Sequence, residues 1–493
     1  MKLSNLISDL KTIQITNFID KDISSLQYDS RKTKAQSVFV ALRGTLTDGH
    51  KYIHDVIAKG CSVIVLDDEK YIDREIKSVI YILVENSRTA LAKLSHNWYE
   101  NPSEGMKIIG ITGTNGKTTI TYLLKSIFES AGIKTGIIGT TGIFYGNEII
   151  TATHTTPESL ELCKYLAKMK DAGVQTVLME VSSHALSQHR VDCIQFSAAI
   201  FTNLTLDHLD YHSSMKDYAK AKKRLFDMLS KDGIALVTDN SEYSALMLKD
   251  TKCKTKLYIG RKNTSDIIIA HEELNLNFSS FELHSKLFRT PIKINTPLPG
   301  RFNIDNVSFS ASLCLLLGID KKNIKLALGS APGAPGRMQK VTLKNEAVAI
   351  VDYAHTPDAL EKVLLTCREI LQQSVPKSGK LFCVFGCGGD RDKSKRPLMG
   401  KIAATIADFV IITDDNPRTE DAEKIIEQIY HGVFKKDKQK TVIISKREEA
   451  IKYAVNNSKE GDIILVAGKG HETYQIIGTQ KIHFDDVEEL KKF

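Results

Sequence analysis

No apolar run in this 493-residue chain approaches membrane-spanning length. The opening stretch, MKLSNLISDLKTIQ, also lacks the continuous apolar core of a secretory signal. Both absences lead us to expect a cytoplasmic protein with no membrane insertion. The eight cysteines (Cys61, Cys163, Cys193, Cys253, Cys314, Cys367, Cys383 and Cys387) form no C-x-x-C pair. Most sit in apolar stretches, so buried reduced thiols are the simplest account. No segment interleaves basic with aromatic residues, which argues against a nucleic-acid surface. Charge of one sign is not in large excess: 67 Lys+Arg oppose 59 Asp+Glu, a net +8. The densest basic run, 435–440 (KKDKQK), is explained by a solvated loop or helix face. The mild bias suits anionic small molecules without requiring them. There is no sequence repeat and no low-complexity tract. Hydrophobic content of 42% and charged content of 26% are those of a globular protein. The length predicts about three domains.

What is present centres on residues 108–121, IIGITGTNGKTTIT. Positions 108–111 have the apolar continuity of a buried parallel strand. They run into Gly113-Thr114-Asn115-Gly116-Lys117-Thr118-Thr119, after which Ile120, Leu123, Leu124, Ile127 and Phe128 recur at helical spacing. Strand, glycine loop and helix are the context of a phosphate-binding loop. Backbone N–H groups and the helix N-terminus would face phosphate oxygens. Lys117 would reach the terminal phosphates, and the Thr118 hydroxyl would ligate Mg²⁺. The generic pattern G-x-x-x-x-G-K-[ST] places its first glycine at position 111, here Ile111, with Gly110 and Gly113 on either side. A tight strand-to-helix turn with a surface lysine is the plainer alternative.

Three α/β units follow from the pattern. Residues 1–103 show short strand signals at 38–42, 62–66 and 80–84 and helical ones at 52–59 and 88–99. Residues 104–333 alternate strands (108–111, 136–139, 176–181, 198–202, 234–238) with helices (118–131, 159–172, 216–230). Their all-apolar strands predict a mostly parallel sheet covered by helices on both faces. An antiparallel insert is expected around 268–293 and a helix at 307–317. Ala331-Pro332-Gly333-Ala334-Pro335-Gly336 has the composition of a hinge. Residues 334–493 again read as α/β, with strands at 349–353, 381–385, 409–413, 442–445 and 463–467.

Active residues in such sheets gather at the carboxyl ends of the strands. Polar clusters stand there at 113–118, 180–184, 203–212, 386–395, 413–418 and 467–472. Glu180, after an apolar strand, suits a Mg²⁺ site, because hard cations take oxygen ligands; a capping glutamate is the alternative. The stretch 207–212 (DHLDYH) is dense in possible ligands. The stretch 218–226 (YAKAKKRLF) reads by itself as a basic helix face. Turns at 28–31 and 43–49 could hold a polar ligand or be ordinary turns.

Taken in order, GTNGKTT (113–119), EVSSH (180–184), NLTLDH (203–208), Tyr218-x-x-Ala221-Lys222-x-x-Leu225-Phe226, Gly300-x-x-Asn303-x-x-Asn306 and Gly336-Arg337-Met338 resemble the ATP-dependent Mur ligases of peptidoglycan synthesis. Asp29-Ser30-Arg31 and the clusters at 386–395 and 467–472 narrow the resemblance to the branch that adds the third stem-peptide residue. It covers essentially the whole chain. It implies a UDP-MurNAc-binding domain at 1–103, a central P-loop-type ATP-binding domain at 104–333, and a Rossmann-like amino-acid-binding domain at 334–493. It implies a cytoplasmic, monomeric enzyme of cell-wall building, and hence of cell shape and division. Its substrates would be ATP, UDP-MurNAc-L-Ala-D-Glu and a diamino acid.

The same resemblance distributes residue roles. Ile111 ceases to be a defect, since the family's loop lacks that glycine. Lys117, Glu180, His208 and Lys222 are implied as the catalytic set, with Lys222 carbamylated by CO₂. A carbamate turns the cation into an anionic oxygen ligand and requires the unprotonated amine first. Two Mg²⁺ ions are implied, with Thr118, Glu180, His208 and carbamylated Lys222 as ligands. Gly113, Thr114, Asn115, Gly116, Lys117, Thr118, Thr119, Asn303, Asn306 and Arg337 are implied on the nucleotide side, with 352–355 a further candidate. The UDP end falls to Tyr28, Ser30, Thr45, Leu46 and Thr47, and the muramoyl-dipeptide to His154, Thr155, Thr156, Ser182, Gln188 and Arg190. The amino acid falls to Arg391, Asp415, Asn416, Pro417, Arg418, Gly468 and Glu472.

Asp415-Asn416-Pro417-Arg418 resembles the form associated with meso-diaminopimelate. That substrate carries a distal carboxylate where lysine carries only an ammonium, and Arg418 is a fork that binds carboxylate bidentately. The implied reaction activates the D-glutamate carboxylate as an acyl phosphate, which the amine then attacks, with closure of the third domain at the hinge. L-Lysine addition, a D-Ala-D-Ala-adding or folylpolyglutamate-type ligase, and a nucleotide-gated binding protein without activity are the competing readings.

Overall fold

A computed structural model describes residues 1–44, 47–152, 154–207, 211–274, 278–373 and 379–493. The chain packs as two compact units, Met1–Lys117 with Gly132–Leu204 and His208–Leu257, and Thr118–Ala131 with Thr205–Asp207 and Tyr258–Phe493.

The first unit holds two sheets. In the N-terminal one the strand order is Gln14–Thr16, Ile80–Leu83, Val63–Leu66, Ser37–Val40, Ser25–Gln27. Only the first pairing is antiparallel. Every residue of the three central strands is buried, as a sheet covered on both faces demands. Val38, Val63 and Ile80 face the helices Leu3–Leu6 and Ser87–Trp98, while Phe39, Ile64 and Tyr81 pack on Ile53 and Val56. Asn86 caps the helix Ser87–Trp98 by accepting from the N–H groups of Arg88 and Thr89.

The second sheet places Leu229–Thr238, Phe196–Phe201, Lys107–Thr112, Thr176–Glu180 and Thr135–Gly139 side by side and parallel. An antiparallel hairpin, Gly142–Tyr145 and Glu148–Ile150, extends its edge. Lys107–Thr112 lies in the middle, so the loop that follows it opens at the centre of the carboxyl edge. Gly110 fits there because a Cβ would come within 2.7 Å of Leu225 and 3.0 Å of Phe196. The helix expected at 216–230 ends at Asp227, and its last residues instead begin the strand Leu229–Thr238.

In the second unit, Ile267–Leu274, Ser279–His284 and Ile292–Thr296 form the expected antiparallel insert. The helix expected at 307–317 begins earlier, as Arg301–Leu316, with Gly300 at φ +96 as its N-cap. Asn303 and Asn306 therefore stand on its first turns. The last sheet runs Gln339–Thr342, Val348–Asp352, Ile463–Ala467, Leu381–Phe385, Phe409–Ile412, Thr441–Ile443, parallel except for its first pairing. Two apolar layers cover its faces, one around Leu364, Phe385 and Met399 and the other around Val384, Ile451 and Leu490. The fold is α/β throughout. All eight cysteines are free, and seven are buried. Among the described residues, no helix is long and apolar enough to cross a membrane.

Candidate active site

The loop at 113–117 is held by its neighbours as much as by its own sequence. Gly113 has φ +146, and a Cβ there would lie 1.9 Å from Thr202 Oγ1. Gly116 has φ +89, a conformation that favours glycine. The N–H of Thr114 donates to Asn203 O at 3.0 Å, and the N–H of Asn115 donates to Asn203 Oδ1 at 2.9 Å. Thr202 Oγ1 donates to Asn115 O at 2.6 Å. The loop is thus pinned to the end of the adjacent strand, Phe196–Phe201. Lys117 Nζ donates to the carbonyls of Gly113 and Thr114 at 3.0 and 2.9 Å, folding back over the loop. Thr118 and Thr119 follow at the start of the helix Lys117–Ser130, both buried.

Lys222 approaches the same loop from the helix Met215–Asp227. It is buried, its Nζ donates to Gly113 O at 3.0 Å, and it lies 4.6 Å from the centre of the Tyr218 ring. Glu180, fully buried at the end of Thr176–Glu180, accepts from the N–H of Thr140 at 3.0 Å and from its hydroxyl at 3.1 Å. Thr140 and Thr155 hydroxyls are 3.1 Å apart. Thr156 donates to Glu180 O at 2.8 Å and accepts from the N–H of Ser182 at 3.1 Å. One network therefore joins Glu180 to Thr155, Thr156 and Ser182. Arg190 extends it, donating to Thr156 O at 2.8 Å and Gln188 Oε1 at 2.7 Å. Glu158 lies 2.8 Å from Arg190 Nε. His154 is exposed nearby in sequence.

A buried carboxylate and a threonine hydroxyl are hard oxygen donors, and they fit Mg²⁺. Lys222 as an ammonium does not fit a cation, whereas its carbamate would. His208 lies outside the described residues, as do Thr45 and Leu46 of the N-terminal turn. Of that turn's remaining members, Thr47 O accepts from the N–H of Gly44 at 2.9 Å. Ser30 O accepts from Lys59 Nζ at 2.9 Å, and Tyr28 OH donates to Glu161 at 3.0 Å.

In the second unit, Asn303 Nδ2 donates to Pro299 O at 2.8 Å, and Asn306 Nδ2 donates to Asn303 Oδ1 at 3.3 Å. Arg337 stacks 4.8 Å from the centre of the Tyr353 ring, and its Nε is buried without a hydrogen-bond partner. Gly336, at φ +62, touches the backbone of Gly470 and His471 so closely that a Cβ would lie 2.1 Å away. The 336–337 turn and the 468–472 loop are therefore locked together.

Three strand ends of the last sheet bring a further set of the expected residues together. Asn416 Nδ2 donates to Glu472 Oε2 at 2.8 Å. Lys469, fully buried, lies 3.5 Å from Glu472 and 3.9 Å from Asp415, whose Oδ1 is buried without a hydrogen-bond partner. Burial and the Asp415 charge push the Glu472 carboxyl up. Two carboxylates against one lysine leave a site that favours an ammonium. Gly468 has φ +113, and a Cβ there would meet Asp415 Oδ2 at 2.8 Å. Arg418 Nη1 donates to Gly389 O at 2.8 Å, and a Cβ on Gly388 would meet the same Nη1 at 2.8 Å. Pro417 precedes it in the same turn. Arg391 is exposed and donates to Asp390 O at 3.0 Å.

Next to this cluster is a group that motif reading missed. The fully buried Arg396 donates to both Glu420 oxygens at 3.0 Å, to Gln428, and to Gly388 O. That hydrogen bonding holds the Glu420 carboxyl down at about 2. Glu420 in turn accepts from the N–H of Asp390. Thr140 and Arg396 carry no motif signal, and Lys469 stands inside the 467–472 cluster without a role of its own in the motif reading; what each does comes from where the chain returns.

The chain matches three family models: "Mur ligase family, catalytic domain" at residues 22–99, "Mur ligase middle domain" at 111–314, and "Mur ligase, glutamate ligase domain" at 336–470. A relative from Clostridium tetani, a UDP-N-acetylmuramoyl-L-alanyl-D-glutamate--2,6-diaminopimelate ligase, is 43% identical, the match covering 100% of this chain and 99% of that one. A relative of the same name from Bacillus velezensis is 42% identical over 99% and 98% of the two chains. A solved structure of a ligase of that name superposes with a TM-score of 0.69 at 32% identity, covering 96% of each chain. The D-alanyl-D-alanyl ligase of Acinetobacter baumannii, at 20% identity and TM-score 0.62 over 95% of each chain, shares the fold. A glycine loop pinned by Asn203, a buried Glu180 and Lys222 beside it, and full-length identity above 40% agree: the chain belongs to the Mur ligase family.

Proposed function

We propose that the chain is the ATP-dependent ligase that adds meso-diaminopimelate to UDP-N-acetylmuramoyl-L-alanyl-D-glutamate, in the cytoplasmic stage of peptidoglycan synthesis. The observation that supports this reading is the strand-end cluster in which Asn416 bonds Glu472, Lys469 lies beside Asp415 and Glu472, and Arg418 follows in the same turn. Full-length relatives named for that reaction support it. Three domains, 1–103, 104–333 and 334–493, divide the work among UDP-sugar, ATP and amino acid, and the enzyme acts as a monomer.

A carboxylate does not accept an amine directly, because hydroxide would have to leave. The D-glutamate carboxylate attacks the γ-phosphorus of ATP, giving acyl phosphate and ADP. The amine of diaminopimelate then attacks the acyl carbon, loses a proton, and phosphate departs. Lys117, now folded onto Gly113 and Thr114, swings to the terminal phosphates. Thr155, Thr156, Ser182, Gln188 and Arg190 hold the dipeptide end, and Arg190 is oriented by Glu158 and Gln188. Asn303, Asn306 and Arg337 serve the nucleotide. The contribution of these groups is positioning and charge neutralisation. Thr118, Glu180, His208 and carbamylated Lys222 would hold Mg²⁺, which would supply positive charge beside the phosphate oxygens. Asp415 and Glu472 receive an ammonium of diaminopimelate, and Arg418 and Arg391 its carboxylates.

The test is phosphate release from ATP with UDP-MurNAc-L-Ala-D-Glu, comparing meso-diaminopimelate with L-lysine. Strong preference for diaminopimelate supports the proposal. Preference for lysine keeps the ligase and overturns the reading of Arg418. No release with either overturns the substrate assignment and directs attention to D-Ala-D-Ala or glutamate as acceptors.

A further inference from the structure

Apart from the residues assigned above, the antiparallel insert carries His271, Glu282 and His284. One ligand atom from each lies within 4.8 Å of the others. His284 Nε2 and Glu282 Oε2 are 2.9 Å apart, and the His271 and His284 rings are 5.7 Å apart between centres. Glu282 and His284 are two residues apart on Ser279–His284, so alternation puts both on the outer face. Their inward neighbours Phe281 and Leu283 are fully buried.

His271 should not belong to that face. It follows the half-exposed Ala270, which pairs with Glu282, and strict alternation would send it inward opposite Phe281. The register slips between Ala270 and Glu273, so that His271 and Glu272 together oppose one residue. That is a β-bulge, a device that re-aims a side chain. His271 takes the left-handed backbone at φ +52, a conformation more natural to glycine and one that marks local strain. Its neighbour Glu272 is engaged elsewhere, by Arg261 and by Arg301 at 3.2 Å. The bulge thus sends Glu272 to the arginines and His271 to Glu282 and His284.

We propose that His271, Glu282 and His284 form a binding site for a zinc-class divalent transition metal, separate from the nucleotide site. Two imidazoles and one carboxylate suit Zn²⁺, while Mg²⁺ prefers oxygen alone. A tetrahedral ion about 2.0–2.1 Å from each ligand needs ligand atoms about 3.3 Å apart. The Glu282–His284 pair, at 2.9 Å, needs only to open slightly to reach that spacing, and rotation of His271 closes the remainder. A solvent molecule completes the fourth position. The ion would tie the two strands together across the bulge.

The experiment is zinc titration of the full-length protein by calorimetry and thermal shift, with excess Mg²⁺ occupying oxygen-ligand sites. Two variants are compared, His271→Gly and His284→Ala. Wild type is expected to bind one zinc and gain thermal stability. Each variant is expected to bind at least about tenfold more weakly and lose the thermal gain. His271→Gly relieves the left-handed backbone, so its metal-free stability should equal or exceed that of wild type. Zinc affinity within about threefold of wild type in either variant, or no saturable binding to wild type, overturns the proposal. Because the readout is metal binding, the outcome is independent of the ligase assignment.

Discussion

Replacing Arg418 by glycine separates amino-acid selection from folding. Arg418 sits at φ +52, where a side chain costs on the order of 1 kcal/mol that glycine does not pay. Its main-chain bonds, N–H to Ile476 O at 3.0 Å and O from the N–H of Gly478 at 2.8 Å, survive the change. The half-buried side chain gives up one described hydrogen bond, Nη1 to Gly389 O at 2.8 Å, worth about 1 kcal/mol. The two effects offset, so stability should shift by less than about 1 kcal/mol. The loss for diaminopimelate is larger. A charged hydrogen bond to its distal carboxylate is worth about 1.5–3 kcal/mol, or about 10- to 100-fold in kcat/KM. L-Lysine has no such carboxylate, and the guanidinium repels its distal ammonium, so its kcat/KM should hold or rise. The assay is phosphate release at saturating ATP and UDP-MurNAc-dipeptide, with each amino acid varied, alongside a melting curve. Equal losses for both amino acids in a folded variant would refute the selection argument. So would a diaminopimelate-to-lysine ratio changed by less than about threefold.

Three further expectations follow from the geometry. Gly113→Ala forces a Cβ to within 1.9 Å of Thr202 Oγ1; nucleotide binding measured by calorimetry should fall by at least about 100-fold, because the loop must leave its pinned path. Lys469→Met removes the cation that keeps Glu472 ionised against burial and the Asp415 charge and that holds both carboxylates in place; with Glu472 taking up a proton and the pair displaced, KM for diaminopimelate should rise by about tenfold or more while KM for ATP stays put, and parallel changes in both would count against it. His96 is buried in the helix Ser87–Trp98 and burial pushes its pKa down to about 4 from 6.5. The unfolded chain therefore binds the proton first as pH falls, so this contribution is complete above about pH 6.5 and is lost toward pH 4, amounting to about 2 kcal/mol at pH 5. His96→Phe should flatten the acid limb of denaturant unfolding between those pH values, and an unchanged limb would remove His96 from the account.

The sheets were largely legible because their strands are apolar on both faces and end in polar clusters. Lys107–Thr112, Thr176–Glu180 and Leu381–Phe385 announce themselves that way. What escaped was short or edge-bound. Gln14–Thr16 has three residues and little burial. The hairpin Gly142–Tyr145 and Glu148–Ile150 turns on Gly146-Asn147, with Gly146 at φ +54, a signal present in the sequence but next to strands too brief to stand out. The early start of Arg301–Leu316 was hidden by Pro299-Gly300, which reads as a loop although Gly300 is the cap itself.

The candidate site divides by the same logic. Lys117 and Thr118 are visible because the backbone they need imposes glycines at fixed spacing. Glu180 is visible because a charge closes an apolar strand. Thr140 is invisible, and Lys469, though inside the polar cluster at 467–472, carries no sign of its partners, because nothing local requires either. A buried carboxylate must be satisfied, but the sequence does not say by whom. Thr140 meets Glu180 only because Thr135–Gly139 lies beside Thr176–Glu180 in the sheet. Lys469 meets Asp415 only because Ile463–Ala467 and Phe409–Ile412 flank Leu381–Phe385. Glycine marks both returns: a Cβ on Gly139 would strike Glu180 Oε1 at 2.3 Å, and one on Gly468 would meet Asp415 Oδ2 at 2.8 Å. Each buried carboxylate thus has a glycine on the neighbouring chain end that leaves room for it. Paired with an acidic strand end, such a glycine is the nearest thing to a sequence signal for the partner that follows it, Thr140 one residue after Gly139 and Lys469 one residue after Gly468.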